Sequence, residues 1–251
     1  MQKILPDMYD RPEPMMIIGS LGFGFWYFFL FPTLMTLFST GITSSLTLSW
    51  FEFVYHITNF AGAIWLFHSY LKESFFNVQI NSKHFFSVSL SCAAVCAVYA
   101  AMMSYFGLVS SDYTYQLIAQ SSLPLMESAF YNTSVNFIYL NPIVGMICVV
   151  FLSPLTTSCL FYATGFAPVC CSRPWLAYIM VAVITAIPRF WNIVSFWPFE
   201  DELTIYLVQL PLHLIACVAY HKTDTIWSPV AVHTIANAAG CLAIFFHLGI
   251  G

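Results

Sequence analysis

Long apolar runs, separated by short stretches that hold nearly every charged residue, constrain this chain more than any other feature. The runs cover residues 15–38, 49–71, 84–108, 136–163, 174–196, 203–220 and 226–249. A membrane-spanning helix needs about 20 consecutive, mainly apolar residues. Charged residues make up only 7% of the chain, against about 25% in an average soluble domain. The pattern therefore predicts an all-α, polytopic transmembrane helix bundle of about seven spans.

The basic residues predict how this bundle is oriented. With a cytoplasmic N-terminus and one crossing per apolar run, every loop Lys or Arg falls on the inside. These residues are Lys3, Arg11, Lys72, Lys83, Arg173 and Lys222. Lys and Arg in short loops favour the cytoplasmic side. We therefore expect the N-terminus inside and the C-terminus outside.

Three parts follow along the chain. Residues 1–14 form a polar N-terminal tail, which we interpret as mature rather than as a cleaved signal. Residues 15–135 supply three membrane helices and an interfacial or re-entrant segment near 113–136. Residues 136–251 supply a core of four helices. Because the basic residues do not cluster, nucleic acid is not expected as a partner, and no residue spacing indicates a metal or cofactor.

The last quarter of the chain contains the clearest motif, KTDTIWSPVAVHTIAN, which ends in His233 and Asn237. Four residues apart on a helix, their side chains project from one face. Polar pairs of this kind also form plain hydrogen bonds between membrane helices. The stretch resembles the third motif of the CAAX protease and bacteriocin-processing (CPBP) family of intramembrane glutamic proteases. The resemblance implies that His233 and Asn237 are catalytic, with Asn237 stabilising the oxyanion.

The other two motifs of that family match in spacing but not in chemistry. Upstream, Thr157 and Ser158 stand where the resemblance places two glutamates, and Tyr162 stands where it places an arginine. In the second motif, Asn192 replaces a histidine. In the family a glutamate activates water, and a hydroxyl does not titrate in the range that a general base needs. The resemblance thus predicts a CPBP-like core at 136–251 without its catalytic acids.

Two carboxylates could supply a replacement acid. Glu52 lies within an apolar run, where its simplest interpretation is an ion pair with Arg189, since charges inside membranes usually pair. Glu127 lies in a second stretch that matches the first motif less well. The remaining membrane histidines are expected to be core or interfacial residues; they are His56, His68, His213 and His247.

The sequence therefore predicts a CPBP-like protein of the bacterial plasma membrane that is catalytically impaired. We expect Thr157, Tyr162, Asn192, His233 and Asn237 to meet at one polar cavity below the cytoplasmic surface. The expected partners are the lipid bilayer and a hydrophobic or prenylated peptide or another membrane protein. One alternative is an active CPBP-type endopeptidase in CAAX-like processing or in bacteriocin processing or immunity. A further alternative is a small transporter or membrane scaffold.

Overall fold

A computed structural model describes residues 14–31, 33–34, 45–105, 142–170, 172–195 and 199–247. Across these ranges the chain is helical and contains no strand, which confirms the all-α prediction for this part of the protein. The helices are α1 (Pro14–Phe25, continued by a π-helical segment, Trp26–Leu30), α2 (Ser45–Ile80), α3 (Ser82–Tyr105), α4 (described below), α5 (Pro174–Ser195), α6 (Phe199–Thr223) and α7 (Trp227–His247). Residues 1–13 of the predicted N-terminal tail and the whole interfacial segment lie outside the described residues, and Pro14 begins α1.

Helix α4 alternates between two helical forms. Its consecutive segments are Pro142–Met146, Ile147–Leu152 (π-helix), Ser153–Ser158, Cys159–Phe166 (π-helix) and Ala167–Cys170. Pro154 cannot donate a backbone hydrogen bond to the preceding turn, and the wider π turn lies immediately before it. Two threonine hydroxyls satisfy carbonyls in the irregular stretches: Thr156 donates to Leu152 O (3.1 Å) and Thr164 to Cys159 O (3.1 Å).

One described helix, Ile143–Cys170, is long and apolar enough to cross a membrane by its length and composition. Its 28 residues exceed the roughly 20 that a membrane-spanning helix needs. The apolar part of α5, Pro174–Ile187, is shorter. On this criterion the described residues contain one candidate crossing, against about seven predicted from the sequence.

Many large apolar side chains of the described helices are nevertheless exposed. Trp65 is 81% exposed, Ile143 74% and Phe86 65%. Many polar side chains are buried instead: Ser20, His56, Asn59, Ser74, Ser89, Ser153, Thr156, Thr157, Ser158, Thr185, Gln209, His213, Thr225, Ser228, His233 and Asn237. Exposure of many large apolar side chains together with burial of many polar ones is unusual in a water-soluble protein. The distribution is typical of helices whose outer surface meets lipid and whose inner surface carries the polar contacts.

Helix α4 lies at the centre of the packing. It contacts α1, α2, α5, α6 and α7, while α3 packs against α6 and α7. Between α1 and α2 the approach is close because both helices contribute glycine. A Cβ at Gly62 would lie 2.8 Å from Cε2 of Phe23, and a Cβ at Gly19 would lie 2.6 Å from Cδ1 of Leu66.

The turn between α6 and α7 is fixed by polar contacts to α2. Asp224 ends α6 in the left-handed region, with φ of 51°, which Asp tolerates better than most residues. Thr225 Oγ1 accepts from the Trp227 backbone N–H (3.3 Å) and lies 2.7 Å from Ser74 Oγ. Ser74 Oγ also accepts from the backbone N–H of Ile226 (2.9 Å). These bonds satisfy groups at the start of α7 that the helix itself leaves unpaired.

This turn brings the basic residues to one end of the bundle. His84, next to Lys83, contacts the carbonyl of Lys222 through Nε2 (2.9 Å). At the ends of α4 and α6, Cys170 Sγ lies 3.0 Å from Nδ1 of His221. Lys72, Lys83, Arg173 and Lys222 are all exposed. The end that carries them is the one that the sequence assigned to the inside.

Candidate functional site

Tyr162 lies at the centre of the polar site. It occupies the second π-helical segment of α4, and its hydroxyl lies 2.9 Å from His233 Nε2 and 3.1 Å from His213 Nδ1. The phenol thus joins α4 to α6 and α7. All three side chains are at most 3% exposed. In this buried setting, each contact gives a partner to a polar group that would otherwise be unsatisfied.

The rings around the hydroxyl pack closely. Tyr162 and His233 are stacked with centroids 5.9 Å apart, and His213 and His233 are 5.4 Å apart. Phe161 meets His213 edge to face at 5.2 Å. An aromatic side chain therefore covers each imidazole.

The proton arrangement of this cluster follows from its donors and acceptors. A phenol carries one hydrogen and accepts through its oxygen, and a neutral imidazole has one N–H and one bare nitrogen. The Tyr162 hydroxyl has three neighbours for its one hydrogen, namely the two imidazole nitrogens and the His213 backbone carbonyl at 3.4 Å, and it accepts from any ring N–H that faces it. Both His233 Nε2 and His213 Nδ1 are engaged by the same hydroxyl. A general base needs a ring nitrogen within reach of the water that it activates. The Tyr162 hydroxyl engages one nitrogen of each ring, and the second nitrogens are His233 Nδ1 and His213 Nε2.

Asn237 has a structural partner. Its Nδ2 donates to the backbone carbonyl of Val149 at 2.8 Å. Val149 belongs to the first π-helical segment of α4. The bond therefore ties α7 to an irregular part of the neighbouring helix. The oxyanion role implied by the resemblance requires donors aimed at a substrate, whereas one of the two N–H groups of this amide is directed at the protein backbone.

The two hydroxyls at the first-motif positions have different surroundings. The side chain of Thr157 hydrogen-bonds with that of Tyr27, which stacks on Tyr55 at 5.5 Å. Ser158 is fully buried, and within the described part of the chain its Oγ has no hydrogen-bond partner. Tyr162 thus contacts His233, while Thr157 contacts α1. Of the residues predicted to meet at one cavity, the structure brings Tyr162 and His233 together.

Three predicted site residues fall where side chains are not described: Asn192, Arg189 and Glu52. Glu127 lies outside the described residues, so the predicted ion pair and both alternative acids stay predictions. The carboxylates whose side chains are described, Glu73 and Asp224, are both exposed and belong to the basic end. Within the described part of the chain, no cluster of three or more His, Cys, Asp and Glu residues could hold a metal.

His213 is the site residue that the sequence did not single out. It was interpreted as a core or interfacial histidine, yet it shares the Tyr162 hydroxyl with His233. A signal was present, since an ionisable residue inside an apolar helix is a functional candidate by default. His213 also follows Pro211, an interruption within α6. Several scattered histidines had the same signal, and only the fold distinguishes them.

Other polar residues of the third-motif stretch also form hydrogen bonds within the protein. Thr223 donates to Ala219 O (2.8 Å), and its hydroxyl also contacts Ser228 Oγ (2.8 Å). Trp227 donates from its indole to Leu71 O (3.1 Å). Most of the polar residues that carry the resemblance therefore stabilise the turn.

No family model matches the chain, and the comparisons with curated proteins and with solved structures gave no match either. The resemblance to the CPBP family therefore stays a hypothesis.

Proposed function

We propose that this chain is a multi-pass protein of the bacterial plasma membrane, with about seven spans and its N-terminus inside. The distribution of side chains supports the proposal. Apolar residues such as Trp65, Phe86 and Trp175 are exposed, while polar residues are buried. The gathering of exposed Lys and Arg at one end is a second, independent support, because it matches the cytoplasmic bias of basic residues.

Accessibility labelling tests this topology. A cysteine introduced for Ser44 is expected to react with a membrane-impermeant maleimide on intact cells. One introduced for Lys222, which is exposed at the basic end, is expected to react only after the cells are permeabilised. The parent protein, which retains its native cysteines, sets the background. Equal labelling of both positions from outside would refute the orientation.

We further propose that the protein binds a hydrophobic or prenylated peptide, or an apolar segment of another membrane protein, without cleaving it. One observation carries this proposal: the Tyr162 hydroxyl occupies a ring nitrogen of both His213 and His233. One N–H of Asn237 is likewise paired with a backbone carbonyl, that of Val149. Among the side chains that the structure describes, no carboxylate is buried, and a carboxylate is the group to which the resemblance assigns water activation. The buried polar interior remains available for binding.

The test combines binding and cleavage in one sample. Purified protein in lipid nanodiscs is titrated with a fluorescent farnesylated peptide. The bound peptide is then recovered, and its molecular mass is measured by mass spectrometry. We expect saturable binding and an intact peptide, both for the native protein and for the double variant Thr157→Glu, Ser158→Glu. The reason is that Tyr162 and Asn192 still replace the arginine and the histidine that the resemblance implies. Losing a positioned acid or base costs about 10²- to 10⁴-fold in rate.

Two outcomes would contradict the proposal. Absence of saturable binding would remove the binding function. Cleavage that disappears in His233→Leu would instead establish the active endopeptidase, and Glu52→Gln and Glu127→Gln would then identify the acid.

A further inference from the structure

The chain bends between α2 and α3, and the bend encloses the turn that joins α6 to α7. Ser74 Oγ of α2 lies 2.7 Å from Thr225 Oγ1, and Ser89 Oγ of α3 lies 3.1 Å from Ser228 Oγ. One short turn therefore contacts both helices, which requires the chain to change direction between them. We call residues 72–86 the α2–α3 bend. It lies at the end of the bundle that carries the exposed basic residues.

The same contacts bring the end of α6 to this bend. His84 Nε2 lies 2.9 Å from the carbonyl oxygen of Lys222, and Asn77 donates to the carbonyl of Asp224 at 3.2 Å. These contacts place Lys222 beside the start of α3, where Lys83 directly precedes His84. Both lysine side chains are exposed. Lysines from distant parts of the sequence thus lie at one end of the bundle.

Exposed apolar side chains lie among these lysines. Phe76 is 52% exposed, Ile80 50% and Phe86 65%. The exposed Lys72 precedes them, and Lys83 lies between Ile80 and Phe86. Helices at the boundary between hydrocarbon and headgroups combine such side chains, because the apolar ones enter the acyl region while the ammonium groups stay in the polar layer. A ligand reaches this surface without any opening of the bundle, because these side chains are already exposed.

The charge of this end favours an anionic ligand. Among its described residues the cations are Lys72, Lys83, Arg173 and Lys222, and the anions are Glu73 and Asp224. Each basic residue near an anionic membrane surface strengthens binding about fivefold. A headgroup that carries its own cation gains less from this excess of positive charge. A lipid with a net negative headgroup therefore matches both the lysines and the apolar side chains between them.

We infer that the α2–α3 bend and Lys222 bind an anionic phospholipid of the cytoplasmic leaflet. The ammonium groups of Lys83 and Lys222 pair with its phosphate, and the exposed apolar residues of the bend contact its acyl chains. The inference rests on the proposed membrane topology and adds to it the class of lipid and the residues that bind it.

The test is native mass spectrometry of the detergent-purified protein. The protein is titrated with dioleoyl phosphatidylglycerol or with dioleoyl phosphatidylcholine, and the lipid-bound fraction is measured. The two lipids share their acyl chains and phosphate, but choline cancels the negative charge. We expect phosphatidylglycerol to bind about tenfold more tightly. Inorganic phosphate, added as a competitor, should not displace it, because a free anion lacks the apolar contacts.

Charge variants locate the lipid. Lys83→Gln and Lys222→Gln should each weaken phosphatidylglycerol binding about fivefold. The matched control Arg173→Gln removes the same charge from the α4–α5 turn, away from the bend, and should have a smaller effect. Asp224→Asn removes a negative charge near Lys222 and should strengthen binding. Asn also tolerates the φ of 51° at this position, and a gain in affinity cannot result from misfolding.

The outcomes separate this inference from the proposal on which it rests. Failure of both lipids to bind would contradict the proposed membrane location, and this inference with it. Equal binding of the two lipids, or displacement by inorganic phosphate, would overturn the inference alone. Equal losses in Arg173→Gln and in the two lysine variants would also overturn it, because the lipid would then not be bound at the α2–α3 bend.

Discussion

Two asparagines provide the sharpest test of how this interior is built. Asn59 on α2 and Asn237 on α7 are 1% and 0% exposed, so leucine at either position removes the same polar group from the same depth. They differ in pairing. Asn237 donates to Val149 O at 2.8 Å, whereas both amide atoms of Asn59 are without a partner among the described residues.

Opposite effects on stability follow from this difference. A buried, unsatisfied polar group costs about 1–3 kcal/mol, so Asn59→Leu should raise the free energy of unfolding by about 1 kcal/mol. Asn237→Leu removes an interhelical hydrogen bond, worth about 0.6–1.7 kcal/mol in membrane proteins, and leaves the Val149 carbonyl unpaired. We expect it to lower the free energy of unfolding by about 1–2 kcal/mol.

The assay is thermal unfolding of the detergent-solubilised protein, followed by tryptophan fluorescence. For a chain of this size, 1 kcal/mol shifts the midpoint by about 2–4 °C. Asn59→Leu should therefore unfold about 3 °C above the native protein, and Asn237→Leu about 3–6 °C below it. If both variants lowered the unfolding midpoint by a similar amount, the reasoning would be refuted, because Asn59 would then also have a stabilising partner.

Two further substitutions test the Tyr162 cluster and the packing of α1 on α2. Tyr162→Phe removes the hydroxyl shared by two imidazoles and should lower the free energy of unfolding by about 1–3 kcal/mol. The control Tyr206→Phe removes one half-buried hydrogen bond to a carbonyl and should lower it by about 0.6 kcal/mol. Equal losses would contradict the bridging role of Tyr162. Gly62→Ala would place a Cβ 2.8 Å from the ring of Phe23 and should lower the melting midpoint. Gly22→Ala, whose Cβ would meet no heavy atom within 4 Å in the described structure, should leave the midpoint unchanged or raise it, and a fall in both would contradict the close-packing argument.

The positions of the helices could be predicted from the sequence because one physical constraint, the length of an apolar run, determines them. Apolar runs separated by charged stretches predicted helices at residues 84–108 and 174–196, and the structure has Ser82–Tyr105 and Pro174–Ser195. The largest difference concerns α2, predicted to end at residue 71 and observed to continue to Ile80. Its extension carries Lys72, Glu73 and Asn77. Hydropathy misses this extension because polar residues there contact the α6–α7 turn, as Asn77 does with Asp224 O (3.2 Å).

The contacts of the site could not be derived in the same way. Periodicity places His233 and Asn237 on one face of α7, but it does not say which neighbour each meets. The π-helical segments of α4 change the angular relation between successive residues from that of an α-helix. Thr157 and Tyr162 therefore cannot be assigned to faces from α-helical spacing alone. His56 and Asn59 are a second example, because their burial and their lack of hydrogen-bond partners among the described residues are known only from the structure.

The third-motif resemblance and the structure are reconciled by asking what each matched residue contacts. Thr223, Thr225, Trp227 and Ser228 all have partners that fix the start of α7. The α6–α7 turn therefore needs these residue types for its own hydrogen bonds, whether or not the protein is catalytic. His233 is paired with Tyr162 one and a half turns further along α7, so what the motif preserves is the placement of a polar interior. The third motif therefore indicates a fixed turn above a buried polar interior, and these contacts do not require a catalytic site.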